Sequence, residues 1–434
     1  MHELKELLRI LIPKEKERIK HLVQNYSHVK VSEVTIKNVF GGLRGVRCLP
    51  YDLSSVDPDE GVQYRGIPIK EVIEQLPRAE DGIQPLPEGV YYLLMTGKIP
   101  SIKDVRNITE DWRNRAEIPS HIFDVLDAMP SDTHPMTLFS LGILALRPRS
   151  KYKAAYNAGA SRVDLWEPAY EDVMDLLAKL PTIAAYIYRK HCNQYNIRIE
   201  DSGLDWAANY ASMMGINEPD YMELMRLTLS LHADHEGGNL SAHTGILVGS
   251  GLADPFSSLS SALNGLSGPL HGAANQEALI WILDLWESFG RDHIPTDDEL
   301  RSYVWDTLNA GRVVPGFGHA VLRKTDPRYL AQREFALQHL PDDPLFQIVS
   351  ALFKIVPEVL KEHGKAANPY PNVDAHSGSL QYFYGVRQHS YFTVLFGVSR
   401  AIGILAWYVW ARALQLPIER PKSITLDYLE SLIQ

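Results

Sequence analysis

"YFTVLFGVSRAIGILAWYVWARAL", residues 391–414, is the stretch whose reading decides the fold. It is long and apolar enough to cross a bilayer, which takes roughly 20 such residues. Arg400 stands near its middle, and a cation at that depth is expensive. A buried helix in the core of a large soluble protein accounts better for the run. That reading makes two demands: enough chain to surround such a helix, and a partner for the buried guanidinium, because an unpaired buried charge is costly.

The chain meets the first demand. Its 434 residues suffice for a large core and for two or three domains. With 45% hydrophobic and 22% charged residues it is composed like an ordinary globular protein. The formal charge of −10, from 43 basic and 53 acidic residues, argues against a nucleic-acid surface, which carries a basic excess. A local basic pocket for an anion stays open. Cys48 and Cys192 are too few and too far apart for a disulfide framework or a thiolate metal site. The opening "MHELKELLRILIPKEKERIKHLV" places Leu4, Leu7, Leu8 and Leu11 on one helical stripe, but it has early acids and no small-residue cleavage site. It reads as a docked amphipathic helix.

Helical signals dominate the remainder. A helix is expected after Pro219 through "DYMELMRLTLSLHADH". Another has Asp254 as N-cap and Pro255 in first position, and is stopped by glycine. A third runs from near Gly272 to Gly290. Strand signals are sparse. "VSEVTIKNVF", residues 31–40, alternates, and is expected to pair with "VRCLPYDLSSV" in a small sheet. The fold class is therefore all-α with a minor N-terminal β element.

Two breaker-rich loops, residues 311–329 and 364–378, and the turn in "NGLSGPLHGAANQEAL", residues 264–279, are where chemistry is to be sought. His271 in that turn precedes a helix start, whose positive end keeps an imidazole neutral and fit to donate to a developing enolate. A ring that closes a tight turn explains the same residues equally well. His319 follows two glycines and precedes Arg323, Lys324 and Arg328, a set suited to an acid beside anion-holding arginines; a glycine-rich turn with a solvated basic flank is the plainer alternative. Asp374 in "PNVDAHSG" is a base for proton removal from carbon or a turn-forming carboxylate. "HADHEGGNLSAHT" has three histidines but not the order of a zinc hydrolase, so His235 reads as a carboxylate ligand or a helix-terminal bond. Arg400 and Arg420 look structural singly. With Arg328 they would make three guanidinium forks for a polycarboxylate.

Taken jointly, "GPLHGAANQEAL", "VVPGFGHAVLRKTDPRY", "NVDAHSG" and "VLFGVSRA…ERPKS" closely resemble the citrate synthase family, in its large two-domain mitochondrial form. The likeness also covers "LIPKEKERIK", "DPDEGVQYRGIPI" and "LWEPAYEDVMDLLAKLP". It implies a helical homodimer, with residues 1–272 and 386–434 in a large domain and residues 273–385 in a small one. It implies condensation of acetyl-CoA with oxaloacetate and water, acetyl-CoA being a substrate and no metal or other cofactor being needed. Catalysis would fall to Asp374 as base, His271 at the thioester oxygen and His319 at the oxaloacetate carbonyl. His235, Arg328 and Arg400 would bind oxaloacetate, with Arg420 from the other subunit. CoA would meet Arg44, Arg323, the partner's Arg162, and the backbone at Val313, Val314, Gly316 and Ala320. A mitochondrial matrix location follows, with any transit peptide removed, and neither nucleic acid nor membrane as partner. Phe317 stands where many relatives have Tyr, Ala367 where many have Lys, and "GVRQHSYF" (385–392) is unusual. Two rival readings remain: a 2-methylcitrate synthase using propionyl-CoA, and a filament-forming protein that keeps the enzyme's fold.

Overall fold

Residues 391–414 form the central helix, Phe392–Ala413, in which every residue but Phe396 is buried. The structure is a computed structural model that describes residues 3–194, 201 and 203–433. Around this helix pack Trp166–His191, Pro255–Leu266, Pro219–Leu231, Leu240–Ser250 and Pro87–Thr96, so its apolar surface is covered by other helices. The Arg400 guanidinium is held by neutral oxygens. Its Nε donates to the His232 carbonyl (3.1 Å), its Nη1 to Asn239 Oδ1 (3.3 Å), and its carbon lies 4.7 Å from the Phe396 ring centroid. Two such bonds engage two of the five N–H donors without cancelling the charge, which leaves a buried cation able to attract an anion.

The expected helices are present. Pro219–Leu231 and Ala274–Phe289 form, the latter closed by Gly290 at φ 83°. Asp254 caps Pro255–Leu266 by accepting from the Ser257 N–H. Gly265 lies inside that helix, where a Cβ would sit 3.0 Å from Thr244 Oγ1, so its smallness serves close packing on the Leu240–Ser250 helix. The first amphipathic helix runs over Glu3–Tyr26 with Leu4, Leu8 and Ile12 buried.

The strand expectation for residues 31–40 fails. Thr35 and Asn38 form a capping box that starts a short helix, Ile36–Phe40, and Val31, Val34 and Phe40 are exposed. Alternation there has no surface to pack on, and local side-chain bonds to the backbone win. The sheet instead comprises Ser54–Asp57, Gly61–Tyr64 and Ile67–Pro68, antiparallel in sequence order, so only the end of "VRCLPYDLSSV" joins it. Within residues 273–385 the helix Asp374–Phe383 packs against Ala274–Phe289, Pro327–His339 and Pro344–His363, and the last of these also packs on Asp297–Asn309.

Candidate active site

His271 sits in a turn in which its N–H bonds the Gly268 carbonyl and the Gly272 N–H bonds the Leu266 carbonyl, both at 3.0 Å. A Cβ on Gly272 would lie 2.2 Å from Leu266 O, so this approach admits no larger residue. The ring does not use the helix that follows, which starts only at Ala274. It meets the first turn of Leu240–Ser250, where the Ser241 N–H (3.2 Å) and Ser241 Oγ (2.9 Å) reach Nε2. A nitrogen receiving a backbone N–H must supply a lone pair, which puts the ring proton on Nδ1. Burial, and then the Arg400 charge, push His271 down to about 4, so it is a neutral donor at pH 7.

His319 repeats the arrangement with the nitrogens exchanged. Its Nδ1 accepts from the N–H groups of Val321 and Leu322, both at 3.0 Å, leaving the proton on Nε2. Burial lowers its pKa, and Arg328 adds to that. Its ring centroid is 5.8 Å from that of His235, which burial and then Arg328 and Arg400 hold well below the usual histidine range.

Asp374 opens the helix Asp374–Phe383, its N–H bonded to Asn372 Oδ1 (2.9 Å). Among the described residues nothing hydrogen-bonds its carboxylate. Burial pushes this carboxyl up to about 6, against the pull of Arg328 and Arg400. Asn372 also donates from Nδ2 to the Gly318 carbonyl (2.8 Å) and from its N–H to the Gly316 carbonyl (2.9 Å), fastening the His319 loop to the Asp374 loop. Gly316 has φ 78°, and a Cβ there would lie 2.6 Å from Ala375 Cα. Arg328 is buried and doubly bonded to Asp326, with Nη2–Oδ2 at 2.7 Å and Nε–Oδ1 at 3.1 Å.

Beside His319 opens a cleft of ≈ 430 Å³ whose lining includes Val313, Val314, Phe317, Gly318, Lys365 and Ala367. Gly316 and Ala320 belong to the same loop. Arg323 is exposed, its Nη1 on the Leu322 carbonyl (2.9 Å). Arg44, Arg162 and Arg420 are exposed and do not line the cleft.

The structure thus brings together His235, His271, His319, Arg328, Asp374 and Arg400, the three imidazoles and the carboxylate each lying within the field of one or both arginines. The family model described as "Citrate synthase, C-terminal domain" matches residues 42–422. The chain belongs to the citrate synthase family. It is 53% identical to the mitochondrial citrate synthase of Xiphias gladius over 431 residues, covering 99% of this chain and 92% of that one. The corresponding protein of Kajikia audax is 52% identical over 431 residues, with the same coverage. Among solved structures, citrate synthase from Pyrobaculum aerophilum superposes with a TM-score of 0.77 at 27% identity, over 92% of this chain and 95% of that one. The Thermoplasma acidophilum enzyme, in ternary complex with carboxymethyl coenzyme A and oxaloacetate, shares the fold: TM-score 0.73 at 21% identity, over 91% and 97%. The all-helical expectation with a minor sheet is met.

Sequence reasoning missed four residues of this citrate synthase site: Asp326, Asn372, Asn239 and Ser241. Asp326 had a signal, since Asp-Pro-Arg is an N-cap, a first-turn proline and a cation in succession. Asn239 is likewise the N-cap of its helix. Asn372 had one in part, as a loop-forming Asn two residues before Asp374, whose N–H it accepts, but its bond to Gly318 is remote in sequence; Ser241 had none for its bond to His271.

Proposed function

We infer that this citrate synthase condenses acetyl-CoA with oxaloacetate and water to give citrate and CoA. The observation that carries the reading is an unbonded, partly buried carboxylate, Asp374, grouped with two neutral imidazoles whose free N–H positions are set by backbone donors. Asp374 removes a methyl proton from acetyl-CoA while His271 Nδ1–H hydrogen-bonds the thioester oxygen, so negative charge develops against a donor already in place. The resulting enolate carbon attacks the oxaloacetate ketone. His319 Nε2–H polarises that carbonyl and gives its proton to the new alkoxide, and water then cleaves the citryl thioester, releasing CoA.

His235, Arg328 and Arg400 hold the oxaloacetate carboxylates. Asp326 neutralises Arg328 in part and fixes its fork, so that a dicarboxylate meets oriented cations. The loop of Val313, Val314, Gly316 and Ala320, with Arg323 and Arg44, receives CoA, and no further cofactor takes part. A homodimer completes each site: Arg420 and Arg162 come from the partner subunit. Residues 1–272 and 386–434 form the large domain and 273–385 the small domain, which close on oxaloacetate. The mitochondrial names of the fish relatives support a mitochondrial location, and we place the protein in the matrix. Thiol release from acetyl-CoA, followed with and without oxaloacetate, is the test. Release that depends on oxaloacetate is expected, and well-folded protein that shows none would refute the assignment.

A further inference from the structure

The Leu240–Ser250 helix has a second set of contacts that the reaction above leaves unused. Its first turn serves its own subunit's site: Ser241 bonds His271, and the cap residue Asn239 bonds Arg400 Nη1 and the His235 carbonyl (2.7 Å). On its flank, His243 Nε2 lies 2.6 Å from Glu419 Oε1. Two turns further on, Ser250 Oγ receives the Glu419 N–H at 3.0 Å.

Glu419 lies on the segment that leaves the central helix. The chain turns at Gln415 (φ 58°) and runs without regular structure to Thr425. Of residues 417–428, Glu419 alone is not exposed. Past Leu416, which packs on the core, Glu419 is the segment's half-buried residue, and the next residue is Arg420. Pro417 and Pro421 flank the pair and fix φ on both sides.

We propose that Glu419 and His243 are positioning residues for Arg420, clamping the segment to the Leu240–Ser250 helix so that the guanidinium is aimed at the partner's oxaloacetate. The proposal rests on the reading of Arg420 as a ligand supplied across the dimer. An arginine on a free strand would have to be immobilised when substrate binds, and that ordering cost is deducted from affinity. The clamp meets it in advance. Because one helix holds both the clamp and the bonds to His271 and Arg400, it sets two active sites in register: its own through the first turn, and the partner's through its flank.

The test is oxaloacetate binding to the full dimer, measured by calorimetry, with kcat and both KM values alongside. Glu419→Ala should weaken oxaloacetate binding roughly three- to tenfold. Dimer mass, melting temperature and kcat at saturating oxaloacetate should stay near wild type. His243→Asn should give the same pattern by removing the other half of the clamp. Glu419→Gln keeps an acceptor oxygen for the ring N–H and should retain most of the affinity. Combined with Arg420→Ala, the Glu419→Ala change should add nothing, since there is then no guanidinium to aim. Wild-type affinity in both Glu419→Ala and His243→Asn, or a loss fully additive with that of Arg420→Ala, overturns the clamp while leaving the role of Arg420 intact. Unchanged oxaloacetate binding in Arg420→Ala itself removes the underlying reading and the clamp with it.

Discussion

Asp374 combines two properties that a base for carbon acids needs: no competing hydrogen bond on its carboxylate among the described residues, and a proton affinity raised by burial to about 6. Asp374→Asn keeps the shape and removes the acceptor, so kcat should fall by roughly 10²–10⁴, with oxaloacetate binding retained in a calorimetric titration. The rate should also fall as the pH drops below about 6, where Asp374 takes up a proton. His271, held near 4, should contribute no limb between pH 5 and 8. The same shift acts on stability. The folded-state pKa lies above the unfolded one, so protonation favours the fold, and this contribution is lost as pH rises through about 6. The permanently neutral Asn variant should accordingly melt above the substrate-free wild type at pH 8 and level with it near pH 4. At this scale the titrating side chains were legible from sequence because Gly, Pro and Asn surround them. Which ring nitrogen carries each proton was not, because Ser241 and the loop N–H groups that decide it act through folded geometry.

Helices announced themselves where the signal was local. Asp254 before Pro255, and Gly290 after Phe289, are read from neighbouring residues alone, and both hold. Residues 31–40 show the converse: alternation predicts a strand only if a partner and a packing surface exist, and neither is supplied there. Gly265 lies inside its helix, and its function, admitting the neighbouring helix, depends on a contact distant in sequence that no local signal announces. Gly316 is the corresponding case at the site. A methyl at that position meets Ala375 in the first turn of the helix that carries Asp374. Gly316→Ala should therefore cost about 1–3 kcal/mol of stability in a denaturant titration, through strain at positive φ and overpacking. It should also depress turnover beyond the stability loss, because the displaced turn holds the base.

Over the whole molecule, composition and the 391–414 run were enough to argue against a nucleic-acid surface and to favour a helical core around a buried helix, since both depend on totals and not on geometry. Convergence of Arg328 and Arg400, dozens of residues apart, was beyond such reasoning and entered only through resemblance. Arg420 is the remaining piece at this scale, exposed on the irregular segment that follows the central helix. If each site draws it from the neighbour, as proposed, Arg420→Ala loses about 2–5 kcal/mol of oxaloacetate binding. Subunit exchange between inactive Arg420→Ala and inactive His271→Ala dimers should then regenerate activity, read by thiol release; verified heterodimers that stay inactive would place Arg420 in its own subunit's site. The exposed arm also has a genetic consequence. A gene product with either lesion alone should lower total activity in simple proportion to its share of the subunits, because every defective part spoils one site. A product with both lesions on the same chain should silence its wild-type neighbour as well, so that activity falls as the square of the wild-type share. The position of one arginine thus determines whether an allele behaves as additive or as dominant-negative.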